Sequence, residues 1–276
     1  MKKHINLILA TLFIVVLLAF TYRTTQATAA QPTENTQSSL EGTWKLVKAK
    51  WGDAKAHKVP EQEVYKIYTK DHFFFIYYDG ATVSGAGGGT YALEDGSFTE
   101  TLNYFSWHHS AAGTQQSFNY TLEADQLHQY GKIRNTDQYD EYVIDEYYER
   151  VEPGISTAGN NSLAGVWEYT NGKGNTSEYI AENGMKVLKV VTPNHWYVVY
   201  TEKATGKYHG VGFGTYILYG NSYSEHITAF SFDSTAVGKT FDYTIGLRED
   251  QWRQQGKIDT EQYPDFTVEE VYRRVE

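Results

Sequence analysis

Apolar and polar residues alternate with a period of two along most of the chain, which is the pattern of half-buried strands. Short runs of Tyr, Phe, Val, Ile and Thr recur every ~8–12 residues with turn residues between them, as in all-β folds. In the first half these runs predict strands near 42–50, 63–69, 72–78, 85–94, 97–106, 115–122, 126–131 and 142–151. No stretch sustains a helical period over three turns, and residues 53–63 admit at most a short helical turn. Eight short strands in sequence order, joined by tight hairpins, suit an up-and-down barrel that closes on itself and leaves no open edge.

Two hairpins fix which face points inward. Asp95-Gly96 is a strong two-residue turn signal, and it sets Glu94 against Ser97, Leu93 against Phe98 and Tyr91 against Glu100. Opposed residues share a face, so Tyr91, Leu93, Phe98, Glu100, Leu102 and Tyr104 form the expected inner face. Gly220-Asn221 does the same in the second half, placing Tyr216, Leu218, Tyr223, Glu225 and Ile227 inward. Counting back by twos puts Gly85, Gly87 and Gly89 on the inner face, and likewise Gly210, Gly212 and Gly214. A glycine strip of this kind serves a sharp strand bend, a gap filled by an aromatic from a neighbouring strand, or an open inner wall, and one glycine can serve more than one of these. It is no phosphate loop, because neither a lysine nor a helix follows it.

The two halves repeat each other. "LEGTWKL" from Leu40 matches "LAGVWEY" from Leu163, "GAGGGTY" matches "GVGFGTY", and "GKIRNTDQY" matches "GKIDTEQY". "YYERVE" and "VYRRVE" close the two copies, and the offset stays between 123 and 125 residues. A whole domain is therefore duplicated, at residues 40–152 and 163–276. The Pro, Gly, Asn and Ser content of 153–162 predicts a linker, and 31–39 reads as a loose polar leader.

The N-terminus departs from this pattern. Lys2 and Lys3 precede an apolar run from Leu7 to Phe20, and Ala27-Thr28-Ala29 supplies a small-x-small cleavage pattern. Residues 1–30 thus read as a secretory signal peptide, which places the mature protein outside the cell or in a periplasm. If uncleaved, the segment would be the protein's membrane contact. Three of the 24 basic residues lie in it and none of the 34 acidic ones, so the remainder carries a net charge of −13. Such a surface argues against nucleic-acid partners. The absence of Cys excludes disulfides, thiol nucleophiles and thiolate metal sites. No metal site or cofactor is expected. His108-His109 has no counterpart in the second copy, and adjacent histidines rarely chelate one ion. His72 and His195 match between copies and read as solvated rim histidines, with a ligand or haem contact as the alternative.

Gly42-Thr43-Trp44 and Gly165-Val166-Trp167 open the copies, and Arg150 and Arg274 close them on the last strand. This combination resembles the calycin superfamily, the lipocalins and fatty-acid-binding proteins. "GTWKLV", "KIYTKDHFFFIYYD" and "GAGGGTY" look closer still to the small lipocalin-like domains of secreted bacterial proteins. The resemblance implies two tandem eight-stranded lipocalin-like β-barrels. It implies a clasp in each, Arg150 over Trp44 and Arg274 over Trp167. It also suggests last-strand Tyr148 and Tyr272 as ligand contacts, because fatty-acid-binding proteins hold a ligand carboxylate with Arg and Tyr there. On that strand a competing apolar face, Val143, Tyr147 and Val151, leaves the inward parity open.

The expected function is binding of a small hydrophobic or amphipathic molecule in one or both cavities. The expected ligand-binding residues are Gly87, Gly89, Tyr91, Glu100 and Tyr148, with Gly212, Gly214, Tyr216, Glu225 and Tyr272 in the second copy. Glu100 is either a wet carboxylate near the mouth, bonded to Tyr91, or a ligand-orienting group inside a cavity. Two other readings stay open: an interaction module that meets glycan or protein through surface aromatics, and an isomerase or cyclase using an inward Glu as acid or base. No Ser-His-Asp spacing or nucleophile elbow supports hydrolysis, and no catalytic residue is assigned.

Overall fold

The computed structural model describes residues 39–134, 141–151 and 162–276. The signal segment lies outside the described residues, as do the leader and linker apart from Ser39 and Ser162.

Two closed antiparallel barrels of eight strands follow one another, each in sequence order. The first consists of β1 (Gly42–Trp51), β2 (Glu63–Tyr68), β3 (His72–Asp79), β4 (Thr82–Glu94), β5 (Ser97–Phe105), β6 (Gln115–Glu123), β7 (Gln126–Arg134) and β8 (Glu141–Arg150). The second consists of β9 (Gly165–Lys173), β10 (Met185–Val191), β11 (His195–Glu202), β12 (Tyr208–Tyr219), β13 (Ser222–Phe230), β14 (Thr240–Arg248), β15 (Gln251–Ile258) and β16 (Phe266–Arg274). β8 pairs with β1 and β16 with β9, which closes each sheet.

The hairpin registers are those the turns predict: Tyr91 faces Glu100, Leu93 faces Phe98, and Tyr216 faces Glu225. Two members of the expected inner face lie elsewhere. Leu93 is 52% exposed, because β4 runs on past its last β3 partner, His72 opposite Thr90. Tyr104 points out of the barrel. A bulge, in which Gly89 pairs with Leu102 but Gly88 with Tyr104, inserts one residue and reverses the parity beyond it.

That reversal belongs to a larger feature. Ile67, Phe74, Ile76, Tyr78 and Tyr104 of the first barrel pack against Val190, Tyr197, Val199, Val211 and Phe213 of the second. The Tyr104 and Tyr197 hydroxyls are 2.7 Å apart within this contact. β3 is therefore buried on both faces, which explains its unbroken apolar run, HFFFIYYD. Each fully buried Phe, Ile or Val contributes ~1.5–3 kcal/mol, so separating the barrels would be strongly unfavourable.

The copies differ most after their first strand. In the second, α1 (Gly174–Glu182) lies against β16, β9 and β10. Asn175 Oδ1 accepts from the Thr267 backbone N–H at 2.9 Å, and Ile180 joins the barrel core. In the first, residues 52–62 form no helix. Ala49 and Lys58 exchange both backbone hydrogen bonds, and His57 lies 3.0 Å from Asp145 on the outer face of β8. The segment thus runs down the outside and, unlike α1, does not cover the barrel end. The short helical turn expected at 53–63 does not form there.

Candidate functional site

The first barrel encloses a cavity of about 570 Å³, the second only about 100 Å³. The difference follows from side chains at matched positions. Phe73, Gln116 and Leu127 of the first barrel correspond to Trp196, Phe241 and Trp252 of the second, all buried. Tyr179 of α1 lines what space remains beneath the helix.

The cavity wall in the first barrel is aromatic. Trp51, Phe75, Tyr77, Phe105 and Trp107 line it, with Tyr77 and Trp107 rings 5.0 Å apart edge to face. Trp107 is 43% exposed and marks the mouth, beside His108. The floor is polar and ionic. Lys66 Nζ donates to Glu100 Oε1 at 2.6 Å and to Gln129 Oε1 at 2.7 Å. Tyr68 donates to the same Glu100 oxygen at 3.3 Å. Glu146 accepts from Trp51 Nε1 at 2.7 Å and from the Tyr148 hydroxyl at 2.8 Å. Burial pushes the Glu100 carboxyl above its ordinary value, opposed by the charge of Lys66. It raises the Tyr148 and Tyr68 hydroxyls far out of the physiological range, so both stay protonated donors.

The second barrel repeats this floor. Lys189 contacts Glu225 and donates to Gln254 at 3.0 Å, and Tyr272 donates to Glu270 at 2.8 Å. Burial raises the Glu270 carboxyl, with Lys189 opposing. Here, though, Trp196, Tyr243 and Trp252 crowd around the lysine.

The expected site residues separate into three groups. Glu100 and Tyr148 line the first cavity, and Glu225 and Tyr272 line the second. Ile144, Glu146 and Tyr148 point inward, which resolves the parity of β8 and leaves Val143 and Tyr147 outside. Tyr91 and Tyr216 do not reach the cavities. Their hydroxyls donate to the Thr69 and Thr192 carbonyls at 2.8 Å, and Glu100 is held by Lys66 and Tyr68 instead of Tyr91.

The glycines face inward, but neighbouring groups take the space. A Cβ at Gly85 would lie 2.0 Å from the Trp107 indole, and one at Gly87 2.2 Å from the Phe75 ring. Gly210 is covered by Phe232, and Gly212 by Phe230 and Trp196. At Gly89 and Gly214 the obstacle is backbone, Thr101 O and His226 O at 1.9 Å, because the adjoining strand bulges there. The strip is thus a seat for aromatic rings rather than a ligand surface.

Arg150 and Arg274 lie over Trp44 and Trp167 with the guanidinium carbon 4.1 Å from the ring centroid in both. Gly42 and Gly165 adopt φ of +132° and +130°, and a Cβ there would meet the arginine at 2.7 and 2.8 Å. This explains the glycine of Gly-x-Trp on steric grounds. Neither arginine lines the cavity inside its barrel, so the carboxylate-binding pair suggested for the last strand is not assembled there.

The matched histidines have different fates. His72 Nδ1 sits 3.2 Å from Glu276, with Asp71 alongside. His195 is buried between the barrels, stacked 5.2 Å from Phe213, and desolvation lowers it to about 4. It is no solvated rim residue.

Sequence reasoning passed over Lys66, Gln129 and their partners Lys189 and Gln254. The available signal was a lysine kept at matched positions inside two apolar strands, YKIY and LKVV.

Residues 39–157 match DUF4488, a domain of unknown function. A search of curated proteins finds no match. Among solved structures, an uncharacterized protein from Bacteroides eggerthii is 16% identical, with 39% of this chain and 99% of that one covered and a TM-score of 0.27. The uncharacterized protein YLR301w from Saccharomyces cerevisiae is 10% identical over 85% of this chain and 97% of that one, with a TM-score of 0.48.

Proposed function

We propose that the first barrel binds a small, largely apolar molecule with one polar end, and that the second barrel is its structural partner. The carrying observation is the contrast between about 570 Å³ and about 100 Å³ in two copies of one fold. The larger volume falls within the range of ~300–1,000 Å³ typical of small-molecule sites. Aromatic walls receive the apolar body, while Glu100, Glu146 and Tyr148 meet the polar end. The resemblance to lipocalin-like domains supports a ligand inside the barrel, and the signal-like N-terminus supports action in a periplasm or outside the cell.

The two other readings have less behind them. The outer aromatics of β3 are buried against the second barrel, which removes them from a glycan or protein surface. The acid–base reading rests on Glu100 and Glu225, and each of these is held by a lysine, Lys66 or Lys189.

Titration with the neutral fluorophore N-phenyl-1-naphthylamine tests the proposal. One saturable site per chain is expected. Leu102→Trp, which intrudes into the first cavity, should weaken it, and Ile227→Trp in the second barrel should leave it unchanged. No binding, or an affinity that Leu102→Trp leaves unchanged in a folded protein, would overturn the reading.

A further inference from the structure

The ionic groups of the cavity floor do not balance, and the imbalance bears on the charge of the ligand. Lys66 is committed: its ammonium already contacts Glu100 at 2.6 Å and Gln129 at 2.7 Å. Glu146 is 4% exposed and faces the same cavity, yet it has no salt-bridge partner among the described residues. Its two oxygens are held by the neutral donors Trp51 Nε1 and Tyr148 OH. A buried carboxylate without a counter-charge is unfavourable by several kcal/mol unless something compensates it. Each of its oxygens has a lone pair beyond the one these donors use.

The walls next to Glu146 suit a cation. Trp51, which donates to Glu146, lies 6.2 Å from Tyr77, and Tyr77 lies 5.0 Å from Trp107 at the mouth. These rings form a continuous aromatic lining from the carboxylate to solvent, and aromatic faces attract ammonium groups. An anionic ligand would find the reverse: Lys66 already engaged, Arg150 outside the cavity over Trp44, and two carboxylates facing it.

Building on the binding reading above, we propose that the first barrel selects a singly charged organic cation. This is a protonated or quaternary amine on an apolar body, its charge held by Glu146 and by the rings of Trp51, Tyr77 and Trp107. The second barrel has the matching Glu270 but lacks the room.

Isothermal titration with octyltrimethylammonium, octanol and octanoate, each below its aggregation threshold, provides the test. In the wild-type protein the cation binds at least about tenfold more tightly than octanol, and octanoate most weakly, as expected for one charge-assisted contact. Glu146→Gln weakens the cation by about tenfold and leaves octanol nearly unchanged. The wild-type ranking stands as a test even if the variant does not fold. Equal affinity for cation and alcohol, or preference for octanoate, overturns the charge assignment while leaving the chamber intact. Failure of all three, together with N-phenyl-1-naphthylamine, overturns both.

Discussion

Removing Lys66 should expose how the buried floor is held together. Its ammonium lies 2.6 Å from Glu100, and both side chains are almost wholly buried, at 5% and 8% exposure. At an effective dielectric constant of about 20 that separation corresponds to roughly 6 kcal/mol of attraction, much of it offset by desolvation of the two ions. Lys66→Met keeps the length of the side chain but strands the Glu100 charge with only Tyr68 as donor. A loss of about 3–5 kcal/mol in unfolding free energy is expected near pH 8, a large part of a typical domain's total. Glu100 can escape by taking up a proton. Its carboxyl is already raised by burial, and loss of the lysine raises it further. The deficit of Lys66→Met should therefore shrink as pH falls toward 5. The double variant Lys66→Met/Glu100→Leu removes both charges and should be more stable than either single variant. Urea unfolding of the wild type, both single variants and the double variant at pH 5 and pH 8 measures all of this. Additive losses, or a Lys66→Met deficit that does not change with pH, would refute the reasoning.

Other perturbations probe separate parts of the structure. Gly89→Ala would drive a Cβ against the Thr101 carbonyl at 1.9 Å, whereas Gly85→Ala need only displace the exposed Trp107 indole. Thermal melts should show a severe loss for the first and a small one for the second. Arg150→Met breaks the contact with Trp44 and should lower stability by about 1–3 kcal/mol, without changing N-phenyl-1-naphthylamine affinity, because Arg150 does not line the cavity. His195 is held down at about 4 by burial, so the unfolded chain takes up its proton first as pH falls below the usual 6.5. Stability should drop from pH 6.5 toward 4 by up to about 3 kcal/mol from this group, and His195→Gln should flatten that slope in urea titrations. Asp145, though partly desolvated, is held at about 2 by His57, His128 and Lys50. Its stabilising contribution is present above about pH 4 and lost below it, and Asp145→Asn should remove that acid limb.

Local signals carried far in this chain. Asp95-Gly96 and Gly220-Asn221 were enough to set the hairpin registers, and from them the inward positions of Glu100, Glu225 and the glycines. The duplication was visible because strand order leaves matched residues at a nearly constant offset. What stayed hidden depended on partners distant in sequence. Tyr104 was misplaced because a bulge reverses parity without leaving a mark in the pattern. The HFFFIYYD run could not be assigned two buried faces until the second barrel was seen against it. The role of Lys66 was passed over because its counter-charge lies three strands away on β5. The helix α1 was missed because nine residues carry too little period to stand out. The fate of the glycine strip was a matter of volume. Only with Phe75 and Trp107 in place does it become a seat for rings.

The most direct test of a single working chamber is native mass spectrometry of the protein purified from its own host. The account predicts one small molecule per chain, its occupancy reduced in Leu102→Trp and retained in Ile227→Trp. No bound molecule in the wild type, or equal occupancy in Leu102→Trp, would contradict it.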